Sequence, residues 1–215
     1  MVRIRARRTL ENTLRRLGFN RVAGVDEVGR GCLAGPVMAG AVILDPARHI
    51  PGLCDSKMLA PGERERLSDL VTRCAAAWSI GVAEADEIDR INIHRATFEA
   101  MRRAIFALDP LPDMVLVDRF TIPGLPIPQR GVPNGDTCSA SIAAASIVAK
   151  VARDRHMMAL HARDGRFGFD RHKGYATPEH LAAVARHGCS KEHRHSFRPP
   201  SLFDTIDQLD GSADR

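Results

Sequence analysis

Two adjacent carboxylates, Asp26 and Glu27, close an apolar run that begins at Val22, and a Gly29-Arg30-Gly31 turn follows within two residues. The run reads as a strand. Carboxylate oxygens at a strand end suit hard divalent cations. A glycine-rich turn lets backbone N–H groups approach a phosphate closely. Cation and phosphate side by side point to phosphodiester chemistry, although this segment alone is explained as well by an ordinary solvated turn. A dinucleotide site is the sharper rival, because the residues from Gly29 to Ala34 fit Gly-x-Gly-x-x-Ala. That fingerprint needs a helical crossover of roughly a dozen residues or more. Here Pro36 follows Gly35 and the apolar run Val37 to Leu44 starts at once. The two runs therefore read as antiparallel strands joined by the Gly-Arg-Gly loop.

The remaining elements must bring further acids to that strand end. A short basic helix is expected over 9–17, with strands near 21–27, 37–44 and 77–83. A loop with Asp55-Ser-Lys57 leads into a helix from Pro61 to about Ala76. Ile88, Ile91, Phe98, Met101, Ile105 and Leu108 share one helical face, which predicts a single helix over 86–108. Met114 to Val117 reads as a strand closing on Asp118, and 119–135, rich in Pro and Gly, as loop with at most one short strand. A helix from Ser139 to about Ala162 has a first half rich in alanine, so it can pack very close to a sheet. A last helix starts at Thr177-Pro178, Thr capping and Pro in the first position, and stops at Gly188. Strands alternating with helices predict an α/β fold.

Asp118 ends one strand, and Asp136 follows Gly135 just before the alanine-rich helix. Such element ends are where open α/β sheets build their sites. With Asp26 and Glu27 these acids could hold two divalent ions for in-line displacement at phosphorus. Taken singly, Asp118 reads equally as a cap and Asp136 as an N-cap two or three residues early. Neighbouring strand residues also point to opposite faces, so Asp26 and Glu27 share a site only at a strand end or a distortion.

A net charge of +5, with arginines at 3, 5, 7, 8, 15 and 16 and basic residues at 191, 194 and 198, leans towards a polyanionic partner. Scattered surface arginine explains the first group as well. One Trp and one Tyr argue against a stacking platform for single strands. No apolar run is long enough for a membrane span, and the N-terminus lacks the apolar core of a secretory signal. Five scattered cysteines without a C-x-x-C pair favour reduced thiols and a cytoplasmic protein.

The chain resembles ribonuclease HII, the bacterial type 2 ribonuclease H. The likeness rests on Ala23 to Gly31, Asp55-Ser-Lys57, Val115 to Asp118, Gly135-Asp136, Ala144 to Val151, Arg153-Asp154, His172 to Thr177 and His193 to Phe197. It implies a ribonuclease H-like mixed β-sheet flanked by helices, with a helical C-terminal extension. The expected organisation is a basic arm over 1–20, a catalytic region over 21–200 and a polar tail over 201–215. The resemblance carries four metal-binding catalytic acids onto Asp26, Glu27, Asp118 and Asp136, with Mn2+ or Mg2+ as cofactor. It implies cleavage of RNA in RNA–DNA hybrids and 5′ to single ribonucleotides in duplex DNA, leaving a 3′-hydroxyl and a 5′-phosphate. Only the 2′-hydroxyl separates RNA from DNA at one position. By resemblance it is read by Gly29, Arg30, Gly31 and Tyr175, with Lys57 on a phosphate. Without the motif Tyr175 reads as a packing residue, Lys57 as a surface lysine, and His172 and Lys173 as phosphate contacts or solvated groups.

Two departures stand out. Many members carry Pro where this chain has Cys32, and Gly where it has Arg119. Two alternatives stay open: another two-metal nuclease of this fold, resolvase-like, and a non-catalytic nucleic-acid-binding module. A monomer is expected.

Overall fold

In the computed structural model residues 6–197 are described. Arg3, Arg5, Arg198 and the 201–215 tail lie outside the described residues. Strand β1 (Val22–Val28) and strand β2 (Val37–Leu44) pair antiparallel, Asp26 opposite Gly40, with the Gly-Arg-Gly loop between them. Strand β3 (Ala75–Ala83) continues antiparallel on β2. On the other side β4 (Met114–Asp118) runs parallel to β1, and β5 (Gln129–Val132) parallel to β4. The result is a five-stranded mixed sheet in the order β3-β2-β1-β4-β5.

Every residue of β2 is buried, so the sheet is covered on both faces. Ala23, Val25, Ala39 and Ala41 pack with Met101, Ala104 and Ile105 in one apolar cluster. Val42 and Leu44 pack with Ala143, Ala144 and Ile147 in another. The first partner is a helix over Ile93–Phe106 and the second a helix over Ala140–Arg163. The latter's alanines sit against glycines of the sheet. A Cβ on Gly24 would lie 2.1 Å from the Ser141 carbonyl carbon, and one on Gly40 2.5 Å from Ala145 O. Neither glycine can be replaced without moving the helix backbone.

Three boundaries differ from the sequence reading. The expected single helix over 86–108 is two, α3 (Ala85–Ile91) and α4 (Ile93–Phe106), after α1 (Thr9–Arg16) and α2 (Pro61–Cys74). Asn92 breaks it with φ 68°, and its side chain accepts from the His94 and Arg95 N–H groups to cap α4. Asparagine is among the few residues that enter the left-handed region readily. Ala75 and Ala76 belong to β3 and not to α2. Asp136 does not adjoin the long helix directly: it sits on a one-turn helix α5 (Gly135–Cys138), ahead of α6 (Ala140–Arg163). Two short helices then follow, α7 (Phe169–His172) and α8 (Pro178–His187), the latter capped by Thr177.

Helix α1 is anchored by a carboxylate. Glu11 is fully buried and accepts from Ser139 Oγ (2.7 Å), Ser141 N (2.8 Å) and Ser141 Oγ (2.8 Å) at the start of α6. An anion is favoured there by free N–H groups and the helix dipole. Two arginines of the same arm are engaged inside the fold as well. Arg8 donates to Asp45 O and Arg48 O, and Arg15 to Leu44 O. We expect Glu11→Ala to lower unfolding stability by roughly 1.5–3 kcal/mol, the range for hydrogen bonds to a charged group. Urea denaturation reads this directly; an unchanged midpoint would show that α1 is merely laid on the surface.

Candidate active site

Because β1 and β4 are parallel neighbours, Asp26, Glu27 and Asp118 come to the same end of the sheet. Asp118 Oδ1 accepts from Gly135 N at 2.7 Å. The bond holds the start of α5 to the strand end and so places the next residue, Asp136, beside it. Asp26, Glu27, Asp118, Asp136, Lys57 and Tyr175 line one cleft of about 200 Å³, with Arg30, Arg119 and Lys150. Gly29 and Gly31 flank it through Arg30. Asp26 and Glu27 thus share a site despite adjacency: Asp26 is buried against α6, whereas Glu27 bends to Arg30 Nη1 at 3.3 Å. A larger cavity of about 860 Å³, between residues 6–9 and 49–53, holds none of these acids.

The sequence reading gave Ser146 no role. It projects from α6 into the cleft, hydrogen-bonds Asp26, and meets Ser56 Oγ at 2.9 Å. A serine inside an alanine-rich helix face was the available signal. Lys150, one turn further along, also lines the cleft and pairs with Asp154 at 2.5 Å.

Burial, then the charge of Glu27, raises the Asp26 pKa well above the ordinary carboxylate value. Burial likewise raises Glu27, against the opposing charge of Arg30. Asp136 is raised by burial and then by Asp55 and Asp118. Glu27 Oε2 is buried with no hydrogen-bond partner. Mutually repelling oxygens with an unused lone pair fit hard divalent cations. Among the described residues no three such side chains are gathered closely enough to enclose an ion as they stand. Like charges hold one another apart unless a cation screens them.

The sign of the stability effect follows. A raised folded pKa adds stability below the unfolded pKa and loses it as pH rises through the folded value. At neutral pH the ionised cluster therefore opposes folding. We expect Asp26→Asn to raise the thermal midpoint by roughly 2–4 °C, the equivalent of about 1 kcal/mol in a chain of this size. Millimolar Mg2+ should raise the parent's midpoint more than the variant's. Calorimetry with and without EDTA checks both; a destabilised variant would contradict this balance of forces.

Tyr175 stands at the rim with 42 % of its surface exposed. Burial, then the neighbouring Cys32 thiol, raises its pKa, and Cys32 is itself fully buried. Arg119 has φ 61°, a conformation suited to the glycine many family members carry there, and its Nε lies 3.7 Å from Asp118 Oδ2.

His172 is neither solvated nor a phosphate contact. It is buried, stacked on His180 with ring centroids 4.4 Å apart, and His180 Nε2 meets His193 Nε2 at 3.1 Å. The partners assign the protons. His180 Nδ1 donates to Tyr175 O, so its Nε2 accepts from His193, whose Nδ1 accepts from Ser190 N. His172 Nε2 donates to Phe167 O and its Nδ1 accepts from Gly174 N. All three rings are neutral in this arrangement, and burial lowers all three pKa values, His193 to about 4. A depressed folded pKa gives stability that is present above the unfolded value, about 6.5, and lost as pH falls through the folded one. For His193 alone the loss is on the order of 3 kcal/mol between about pH 6.5 and 4. We expect His193→Gln to flatten the fall of thermal midpoint across that window; an equally steep fall would place the acid sensitivity elsewhere.

In architecture the chain is similar to ribonuclease H2 from Pyrococcus horikoshii OT3, with TM-score 0.74 and 25 % identity, covering 90 % of this chain and all of that one. A ribonuclease HIII solved in complex with Mn2+ shares the fold at TM-score 0.70 and 20 % identity, over 91 % of this chain and 72 % of that one. The fold is that of the ribonuclease H-like class of nucleases. A family model for ribonuclease HII matches residues 23–199. The ribonuclease HII of Geobacillus thermodenitrificans is 52 % identical over 189 residues, 88 % of this chain and 73 % of that protein. The chain belongs to the ribonuclease HII family, and is an endoribonuclease that acts on RNA in RNA–DNA hybrids. The resolvase-like and non-catalytic alternatives fall with that assignment.

Proposed function

We propose that this endonuclease also nicks 5′ to single ribonucleotides embedded in duplex DNA, leaving a 3′-hydroxyl and a 5′-phosphate. The observation that carries this reading is the pairing of an exposed Tyr175 ring with a Gly-Arg-Gly turn at one cleft. The Arg30 and Gly31 N–H groups donate to no other group among the described residues. They are free to meet a 2′-hydroxyl or its neighbouring phosphate. The Tyr175 ring offers an apolar face for the adjoining sugar. A sensor of this kind needs one ribonucleotide, not a run of them.

Asp26, Glu27, Asp118 and Asp136 are the residues that would hold Mg2+ or Mn2+, both accepted by carboxylate oxygens. Bound divalent cations supply Lewis-acid polarisation of the phosphate and a more acidic attacking water. The chain's own groups do the rest. Ser146 and the Glu27 N–H fix the Asp26 carboxylate, and the Gly135 N–H fixes Asp118. Exposed Lys57 beside the acids offers a cation to the backbone phosphate. The five cysteines are all free thiols, which is compatible with action in a reducing cytoplasm.

The test uses duplex DNA with one embedded ribonucleotide, an all-DNA duplex and a long hybrid, each with Mg2+, Mn2+ or EDTA. We expect cleavage of the first and third only, with metal, and loss in Asp26→Asn and Asp118→Asn while the fold persists. Tyr175→Ala should lose stacking of about 1–3 kcal/mol, roughly ten- to hundred-fold in rate, most on the single ribonucleotide. Tyr175→Phe should keep most activity, because the stacking contact is made by the ring. A Tyr175→Ala protein that cuts both substrates like the parent would make the tyrosine a packing residue.

A further inference from the structure

Gly29 has φ 91°, and a Cβ there would lie 2.2 Å from Arg153 Nε. The recognition turn therefore rests directly on a guanidinium. A second one lies beside it. Arg153 and Arg194 are the largest fully buried side chains described. Both donate to backbone carbonyls, and neither is ion-paired with a carboxylate among the described residues. Arg194 donates to Gly29 O (2.8 Å), Arg30 O (2.9 Å) and, twice, Gly35 O (3.0 and 2.8 Å). Arg153 donates to Pro36 O (3.0 Å), Ala34 O (3.1 Å) and Lys173 O (2.9 Å).

A trans peptide points its C=O and N–H in opposite directions. By taking the Gly29 and Arg30 carbonyls, Arg194 turns the Arg30 and Gly31 N–H groups away from the interior. Arg153 reaches from the same turn to Lys173, two residues before Tyr175. Backbone bonds close the assembly: Leu33 N donates to Gly174 O and Arg194 N to Leu33 O, both at 2.8 Å. Gly174 has no room for a Cβ, which would meet Ala34 O at 2.4 Å.

We infer that Arg194 and Arg153 are positioning residues for ribonucleotide recognition, which preset the outward N–H groups of the Gly-Arg-Gly turn and fix the Tyr175 loop against it. The inference rests on the reading of that turn and tyrosine as the ribonucleotide sensor. Burying two like charges side by side without a carboxylate is costly. Burial accordingly draws the Arg194 pKa down to about 10, leaving it protonated at neutral pH. A planar fork that bonds several carbonyls at once is something a lysine cannot reproduce.

The experiment has two arms. In the free parent protein, 15N relaxation should find the amides of residues 29–31 and Tyr175 as rigid as β1, with order parameters near about 0.85. Values below about 0.6 would show that nothing is preset and overturn the inference. In the second arm Arg194→Lys and Arg153→Lys are assayed on the single-ribonucleotide duplex and on the long hybrid, with rates expressed per folded molecule. We expect kcat on the single ribonucleotide to fall roughly tenfold or more, the scale of a small misplacement, with KM nearly unchanged and the hybrid hurt less. Rates per folded molecule unchanged on both substrates, or lowered equally on both, would make the arginines structural only. If the lysine variants do not fold, the relaxation arm decides. A parent that leaves the single-ribonucleotide duplex uncut overturns the functional reading and this inference together. A parent that cuts, with variants of unchanged preference, overturns the inference alone.

Discussion

The close approach of α6 to the sheet is the contact on which the other arrangements depend. It is made by Gly24 and Gly40, whose missing Cβ atoms leave space for the helix backbone at Ser141 and Ala145. At that separation one helix can serve every part of the site. Its first residues receive Glu11 and so tie down α1. Its middle presents Ser146 to Asp26 and Lys150 to the cleft. One turn beyond, Arg153 reaches under the Gly-Arg-Gly turn. A larger residue at either glycine would shift all of these together, because interiors are packed too densely to absorb a Cβ.

The two halves of the site use charge in opposite ways. On the catalytic side carboxylates are buried near one another, raising their pKa values and leaving Glu27 Oε2 without a partner. This side is destabilised at neutral pH, and a bound cation would relieve it. On the recognition side the buried arginines are saturated by carbonyls and the buried histidines by a chain of neutral hydrogen bonds. No ion is needed there to complete the structure. A fold can carry a strained catalytic cluster when the surface that reads the substrate is independently rigid.

Much of this was legible in the sequence. The strands, the long helix and its close packing followed from periodicity and alanine content, and the absence of a crossover gave the β1–β2 hairpin. The acids could be grouped because each stands at an element end. What escaped shares a physical cause: polar groups that lie inside. Glu11 sits in an arginine-rich arm and reads as solvated, yet it is the arm's anchor. Arg194 reads as part of a basic surface and His172 as a phosphate contact, yet both are buried. Sequence pattern locates apolar faces well, because burial of apolar groups needs only periodicity. It does not reveal a buried charge, whose partners are backbone groups distant in the chain. Asn92 escaped for another reason: a left-handed residue interrupts the helix while the apolar face continues on both sides of it.

The departures at Cys32 and Arg119 fit this division. Arg119 adopts a left-handed backbone that glycine would adopt freely. It sets a guanidinium near Asp118, where the surplus is of negative charge. Cys32 replaces a residue that would fix φ, but the turn it follows is already held by Arg194 and Arg153. Rigidity supplied from below would offset the loss of proline above, and the position sets a buried thiol near Tyr175. On the proposed reading the tyrosine would meet substrate through its ring, and discrimination between ribose and deoxyribose would fall to the backbone of the turn.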